Sequence, residues 1–259
     1  VSVTFKERIA RHEELVGALV RLPSELLIDL AGFAELDFVL IDLEHGPGDT
    51  IPLQAHLAQA HSQGLATLVR IDPSEPQNVL RALDLGATGI IFPHVSTVEQ
   101  AQHAVRLAHY PPLGARGFAT YSRAGRYGQA STSEHLANMA ERTCVFVMIE
   151  DTEGVASAAG IMAVEGVDGV MVGPADLGVS MGGRPADDPE VRSLLRQVHA
   201  VSKAQGKAVL SIVGNRAAAR SAFADGSELV VYNTQQVMMQ AFLDLADVKS
   251  GRGTNVNRA

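Results

Sequence analysis

The sequence predicts a (β/α)8 TIM barrel, of the α/β class, on three observations. Short apolar runs alternate eight times with longer amphipathic stretches, glycines recur just ahead of the apolar runs, and charged residues crowd one end of those runs. At 259 residues the chain is long enough for one such barrel. No Pro-, Gly- or Ser-rich linker divides it, so residues 1–259 read as a single domain.

The apolar runs lie at residues 17–21, 38–43, 66–71, 88–93, 145–149, 169–172, 208–213 and 229–232. Most are rich in Val, Ile and Leu without polar alternation, as expected of strands covered on both faces. Helical spacing appears between them, in Leu53-His56-Leu57-Ala60, Val79-Leu80-Leu83, Ala101-Val105-Leu107-Ala108 and Val191-Leu194-Leu195-Val198. Gly64, Gly86, Gly206 and Gly226 fall one or two residues before a strand, where helix C-caps belong. Periodicity does not count barrel closure, and an open doubly wound sheet is the alternative. Residues 110–143 read as one long irregular stretch, with Pro111-Pro112, four glycines, and Arg116, Arg123 and Arg126. A loop of that length in a compact barrel is usually functional. A last helix is expected over about residues 235–248, then a frayed polar tail at 250–259.

The net charge of −8 argues against nucleic acid and anionic membranes as partners, since both need a basic surface. A composition 46% hydrophobic and 19% charged excludes disorder. Val1-Ser2-Val3-Thr4-Phe5-Lys6 lacks the pattern of a signal peptide, and no apolar stretch is long enough to span a bilayer. A cytoplasmic protein is expected. The lone Cys144 cannot form an internal disulfide and reads as a small buried hydrophobe.

Barrel enzymes carry their chemistry where strands end, because the following loops surround one mouth. Strand two ends in Asp42-Leu43-Glu44-His45-Gly46-Pro47, strand three in Arg70, strand four in Pro93-His94, strand five in Glu150-Asp151, and strand six in Gly173-Pro174-Ala175-Asp176. Glu150 and Asp176 come from neighbouring strands, and two converging carboxylates repel unless a cation lies between them. Hard oxygen ligands with positions left for water and substrate suit Mg²⁺, Mn²⁺ or Co²⁺. Asp42 and His45, three residues apart, have the composition of a carboxylate–imidazole dyad for proton transfer; a capping Asp and a surface His is the alternative. Arg70 reads as a clamp on a carboxylate or enolate, or else as a salt-bridge partner of Asp72 or Glu75. His94 is open between a site and a surface role, and the other histidines read as surface or core residues. Lys6, Lys203, Lys207 and Lys249 all lie away from the catalytic strand ends, which argues against Schiff-base chemistry.

These strand ends carry a resemblance that spans about residues 15–235. The Asp42–Pro47 motif, Gly86-Ala87-Thr88-Gly89-Ile90-Ile91-Phe92-Pro93, Gly114-Ala115-Arg116-Gly117, and the run from Val167 to Leu177 together resemble the HpcH/HpaI group of class II pyruvate aldolases. The resemblance implies aldol addition of pyruvate, or a related 2-oxo acid such as hydroxypyruvate, to an aldehyde. The product is a 4-hydroxy-2-oxo acid, formed through a metal-stabilised enolate. It implies that Glu150 and Asp176 bind the metal and that Gly173, Pro174 and Ala175 hold the substrate carboxylate at a helix N-terminus. It further implies that Asp42 and His45 form a dyad and that Arg70 contacts the 2-oxo oxygen. Asp84 is implied to enter the site of an adjacent subunit. A homo-oligomer is implied too, a hexamer built as a trimer of dimers, in which the eighth barrel helix packs on a neighbour. The apolar face of Val237, Met238, Ala241, Phe242 and Leu245 is compatible with that, or with packing at home. The chain departs from many members in having Met148 where they have Gln, which predicts a more apolar pocket wall. The rival activities are a lyase of malyl- or citryl-type CoA thioesters and a metal-assisted oxaloacetate decarboxylase. A non-catalytic binding module is the rival of another kind.

Overall fold

The computed structural model describes residues 3–46, 50–72 and 75–248. Pro47 of the Asp42–Pro47 motif, Lys249 and the 250–259 tail lie outside them. The elements run α1 (Phe5–Ala10), β1 (Leu15–Val20), α2 (Glu25–Phe33), β2 (Phe38–Asp42), α3 (Thr50–Ser62), β3 (Ala66–Arg70), α4 (Gln77–Asp84), β4 (Gly89–Phe92) and α5 (Val98–Ala108). They continue with α6 (Thr132–Arg142), β5 (Cys144–Ile149), α7 (Thr152–Met162), β6 (Gly169–Val172), α8 (Pro174–Ser180), α9 (Pro189–Ala204), β7 (Ala208–Val213), α10 (Arg216–Ala224), β8 (Leu229–Asn233) and α11 (Thr234–Ala246). The eight strands pair in chain order, and β8 closes on β1, all parallel. The closed barrel is therefore observed, and the open sheet is not.

Alternation along each strand builds two hydrophobic layers. Leu40, Leu68, Ile91, Phe146, Met171 and Leu210 point inward and fill the barrel. Their neighbours Ile41, Val69, Ile90, Val147, Val170 and Val209 point outward and pack under the helices. This double burial is why the strands read as continuous apolar runs. Phe146 is wholly buried, and its replacement by Ala would cost about 3–5 kcal/mol. The four glycines expected to end helices have φ between 66° and 98°, a region closed to most side chains.

Two helices depart from expectation. The 110–143 stretch is not irregular throughout: α6 occupies its second half, opened by a capping box in which Ser131 and Glu134 satisfy each other's backbone N–H groups. At the N-terminus, α1 is started by the same device from Thr4 and Glu7. Its Phe5 packs on Phe38 with ring centroids 5.6 Å apart and closes the lower end of the barrel. The last helix, α11, buries none of its residues against its own barrel. Met239, Phe242, Leu243 and Leu245 are each more than half exposed.

Candidate active site

The pleat that sends Leu40, Leu68, Met148 and Met171 into the barrel also sends the residue two positions further on inward, at the upper rim. Those residues are Asp42, Arg70, Glu150 and Gly173. Asp42, Arg70 and Glu150 are 2%, 3% and 5% exposed, so three charges are buried in one layer and must satisfy one another.

Asp42 and Arg70 do so directly. They are register partners across β2 and β3, and Arg70 grips the carboxylate through Nε at 2.8 Å and Nη2 at 2.5 Å. Arg21, just past β1, donates from Nε to Asp42 Oδ2 at 2.6 Å. Burial pushes the Asp42 carboxyl up, but the hydrogen bonds and charges of Arg70 and Arg21 outweigh it and hold the group below the usual carboxylate range. Arg70 is thus paired with Asp42, and its Nη1 lies 3.0 Å from Glu44 Oε2. The alternative partners in the next loop, Asp72 and Glu75, are not what holds it in the barrel.

The expected contact between the Asp42 carboxylate and the His45 ring is not formed within the chain. Asp42 Oδ1 accepts the backbone N–H of His45 at 3.3 Å and that of Glu44 at 3.2 Å, while its oxygens are taken up by the two arginines. The His45 ring is 56% exposed at the mouth, with Nε2 3.9 Å from Glu44 Oε2. Three residues of separation on a turn bring the His45 backbone N–H to the Asp42 carboxylate, but the ring faces out.

Glu150 meets Asp176 over Gly173. A methyl group at Gly173 would lie 2.7 Å from Glu150 Oε1, a clash, and 3.4 Å from Asp176 Oδ2, so glycine leaves the Glu150 oxygen room beside that of Asp176. Burial raises the Glu150 pKa; His94 opposes the rise, while the negative charges of Asp176 and Glu44 add to it. A buried acid beside two like charges is an environment that a cation would stabilise. Among the described residues there is no group of three or more His, Cys, Asp or Glu that could cage an ion. The donor set offered is two carboxylates, which fits a hard divalent cation completed by water and substrate. Asp176 sits in the first turn of α8, whose N-cap is Gly173 and whose first residue is Pro174, followed by Ala175.

Two residues at this mouth, Glu44 and Arg21, were given no role from sequence, and His94 was left open. Glu44 forms an ion pair with Arg70 through Oε2 and lies against His94 Nε2 through Oε1, and Arg21 supports Asp42. His94, left open above, places its backbone N–H 2.9 Å and its Nδ1 3.1 Å from Glu150 Oε2, and its Nε2 2.8 Å from Glu44 Oε1. Its φ of 56° is uncommon for a residue other than glycine. The signal available for Glu44 was its place two residues beyond an inward strand-end acid. Met148 is buried with its sulfur 3.8 Å from Arg70 Nη1, a weak acceptor beside a strong donor.

Asp84 is elsewhere. It ends α4, which runs antiparallel to the strands and so finishes at the other mouth, and its Oδ1 is bound by buried Arg116 Nη2 at 2.6 Å. The structure does not bring it to the site of its own chain.

Comparison with known proteins agrees with this architecture. The profile of the family described as HpcH/HpaI aldolase/citrate lyase matches residues 17–239. A protein of Klebsiella pneumoniae subsp. pneumoniae named 5-keto-4-deoxy-D-glucarate aldolase is 34% identical over 204 residues, 78% of this chain and 79% of that relative. The crystal structure of an HpcH/HpaI aldolase/citrate lyase family protein from Burkholderia cenocepacia superposes with a TM-score of 0.89 at 32% identity, covering 96% of this chain and all of that one. The HpcH/HpaI aldolase from Desulfitobacterium hafniense superposes at 0.88 with 25% identity, over 98% of this chain and all of the other. Fold and sequence agree, and the chain belongs to the HpcH/HpaI aldolase/citrate lyase family, as a carbon–carbon lyase of the aldolase type.

Proposed function

We propose that the enzyme adds the enolate of pyruvate, or of hydroxypyruvate, reversibly to an aldehyde, giving a 4-hydroxy-2-oxo acid. The observation that carries this reading is that carboxylate oxygens of Glu150 and Asp176 both border the space over Gly173, in the same rim as a buried guanidinium. Glu150 and Asp176 would hold a divalent cation, of which Mg²⁺, Mn²⁺ and Co²⁺ are the candidates, and it would supply Lewis-acid charge for the enolate.

The chain's own groups do the rest. Arg70 commits Nε and one Nη2 proton to Asp42, which fixes the plane of the fork. Its second Nη2 N–H, with Nη1 shared between Glu44 and Met148, meets the oxygen on which negative charge develops. At the start of α8 the backbone N–H of Ala175 has no acceptor within the helix, and Pro174 presets the first turn; this end binds the carboxylate of the 2-oxo acid. His45, exposed at the mouth, moves the proton of the C4 hydroxyl.

We place the enzyme in a homo-oligomer, a hexamer built as a trimer of dimers. The exposed apolar face of α11 supports it. So does Asp84, which can serve a mouth only on a neighbouring subunit. A cytoplasmic setting suits the single, buried, unpaired thiol of Cys144. Among the described residues no helix is long and apolar enough to cross a membrane. The reading is tested by assaying a panel of aldehydes with pyruvate and hydroxypyruvate, with several divalent metals and with chelator. Aldol products that require metal support it; turnover unaffected by chelation overturns it.

A further inference from the structure

Glu44 meets three side chains of the mouth, Arg70, His94 and His45, and has been assigned no role above. It is 9% exposed at the side chain, yet it belongs to neither the fork under the substrate nor the pair of acids over Gly173. Its Oε1 lies 2.8 Å from His94 Nε2. Its Oε2 lies 3.0 Å from Arg70 Nη1 and 3.9 Å from His45 Nε2. That oxygen is shielded from solvent, and among the described residues it has the Arg70 ion pair but no aligned hydrogen-bond donor. Asp42 is in the opposite position: both of its oxygens are engaged by arginines, and it meets His45 only at the backbone.

We propose that Glu44, rather than Asp42, is the positioning carboxylate for the imidazoles of the site, orienting the rings of His94 and His45 from beneath. A carboxylate beside an imidazole fixes which way the ring faces and which nitrogen carries the proton. Glu44 is the acid whose oxygens face both rings. His94 adds an independent observation. Its left-handed backbone is the kind of local strain that persists where surrounding contacts hold it, and the contacts here are Glu44 on one ring nitrogen and Glu150 on the other. Glu44 therefore ties the proton-handling groups at the mouth to the buried charge layer, while Asp42 ties Arg70 to the barrel wall.

The inference rests on the aldolase reading given above, and its test separates the two. Glu44→Gln keeps the shape and removes the charge; Glu44→Asp keeps the charge and shortens the reach. In Mn²⁺-loaded enzyme, kcat for aldol cleavage should fall about ten- to a hundredfold in Glu44→Gln, a part of what positioned proton transfer is worth. Oxaloacetate decarboxylation forms the same enolate without a C4 hydroxyl, and should fall less than about threefold, with KM and bound Mn²⁺ nearly unchanged. Glu44→Asp should recover part of the aldol loss. In the metal-free protein, the ring resonances of His94 and His45 should shift in Glu44→Gln. Equal losses in both reactions would mean that Glu44 acts through Arg70, and aldol turnover within about twofold of wild type would mean that it positions nothing; either overturns the proposal. Unmoved ring resonances overturn it as well, and that arm stands even if no aldehyde proves to be a substrate. Should Glu44→Gln not fold, Glu44→Asp carries the same ratio test with a smaller expected drop.

Discussion

Asp42 and Arg70 are partners twice over, as register neighbours on adjacent strands and as the two halves of a bidentate ion pair buried in the barrel. The fork geometry is what Lys cannot supply. Arg70→Lys keeps the charge but loses the planar grip, and aldol kcat should fall on the order of ten- to a thousandfold, the range for one oxyanion contact. Steady-state rates at saturating metal check this. A near-wild-type rate would reassign Arg70 to structure alone.

Removing the other half tests stability. Asp42→Asn leaves Arg70 buried with half its partner, and the protein should lose about 3–5 kcal/mol near neutral pH. The Asp42 carboxyl is pushed up by burial and held below its ordinary range by Arg70 and Arg21. A depressed folded-state pKa gives stability that is present above the unfolded value, about 3.9, and is lost as pH falls through the lower folded value. Wild type should therefore lose stability more steeply in acid than Asp42→Asn. Urea unfolding across that range checks it, and parallel pH profiles for the two proteins would contradict it.

Glu150 runs with the opposite sign. Burial first, then the charges of Asp176 and Glu44, raise its pKa against the opposing effect of His94. A raised acid gives stability that is full below its unfolded value and fades as pH rises through the folded one. Metal-free Glu150→Gln should thus melt at or above wild type at mildly alkaline pH, and bind no Mn²⁺ in calorimetric titration. A variant that melts lower and still binds metal would remove Glu150 from the cation site.

The eight strands were legible to within two residues, since each is buried on both faces and its apolar run stops where the burial stops. The strand-end residues followed, because a charge abutting such a run has to lie at a rim. Pairing within the rim was not legible. Asp42 and His45 are close in sequence, whereas the Asp42–Arg70 pair depends on sheet register 28 positions away. The roles of Glu44 and His94 depend on contacts between β2 and β4 loops that no local spacing records. The two unforeseen helices, α1 and α6, were announced only by Thr4-x-x-Glu7 and Ser131-x-x-Glu134.

The bare apolar face of α11 predicts assembly. Phe242 and Leu245 are 61% and 70% exposed, more than a lone soluble chain gains from. If wild type is the proposed hexamer, Phe242→Asp with Leu245→Asp should shift its light-scattering mass downward. Wild type that is monomeric at micromolar concentration would sink the assembly.

The central claim is that Glu150 and Asp176 make this an aldolase that needs a divalent cation. The direct measurement is the rate of pyruvate–aldehyde condensation after exhaustive chelation, and again after adding Mn²⁺, Co²⁺ or Mg²⁺. The rate should vanish with chelator and return with metal, and no adduct should be trapped by borohydride. Full activity in the chelated enzyme, or a borohydride-trapped lysine adduct, would contradict it.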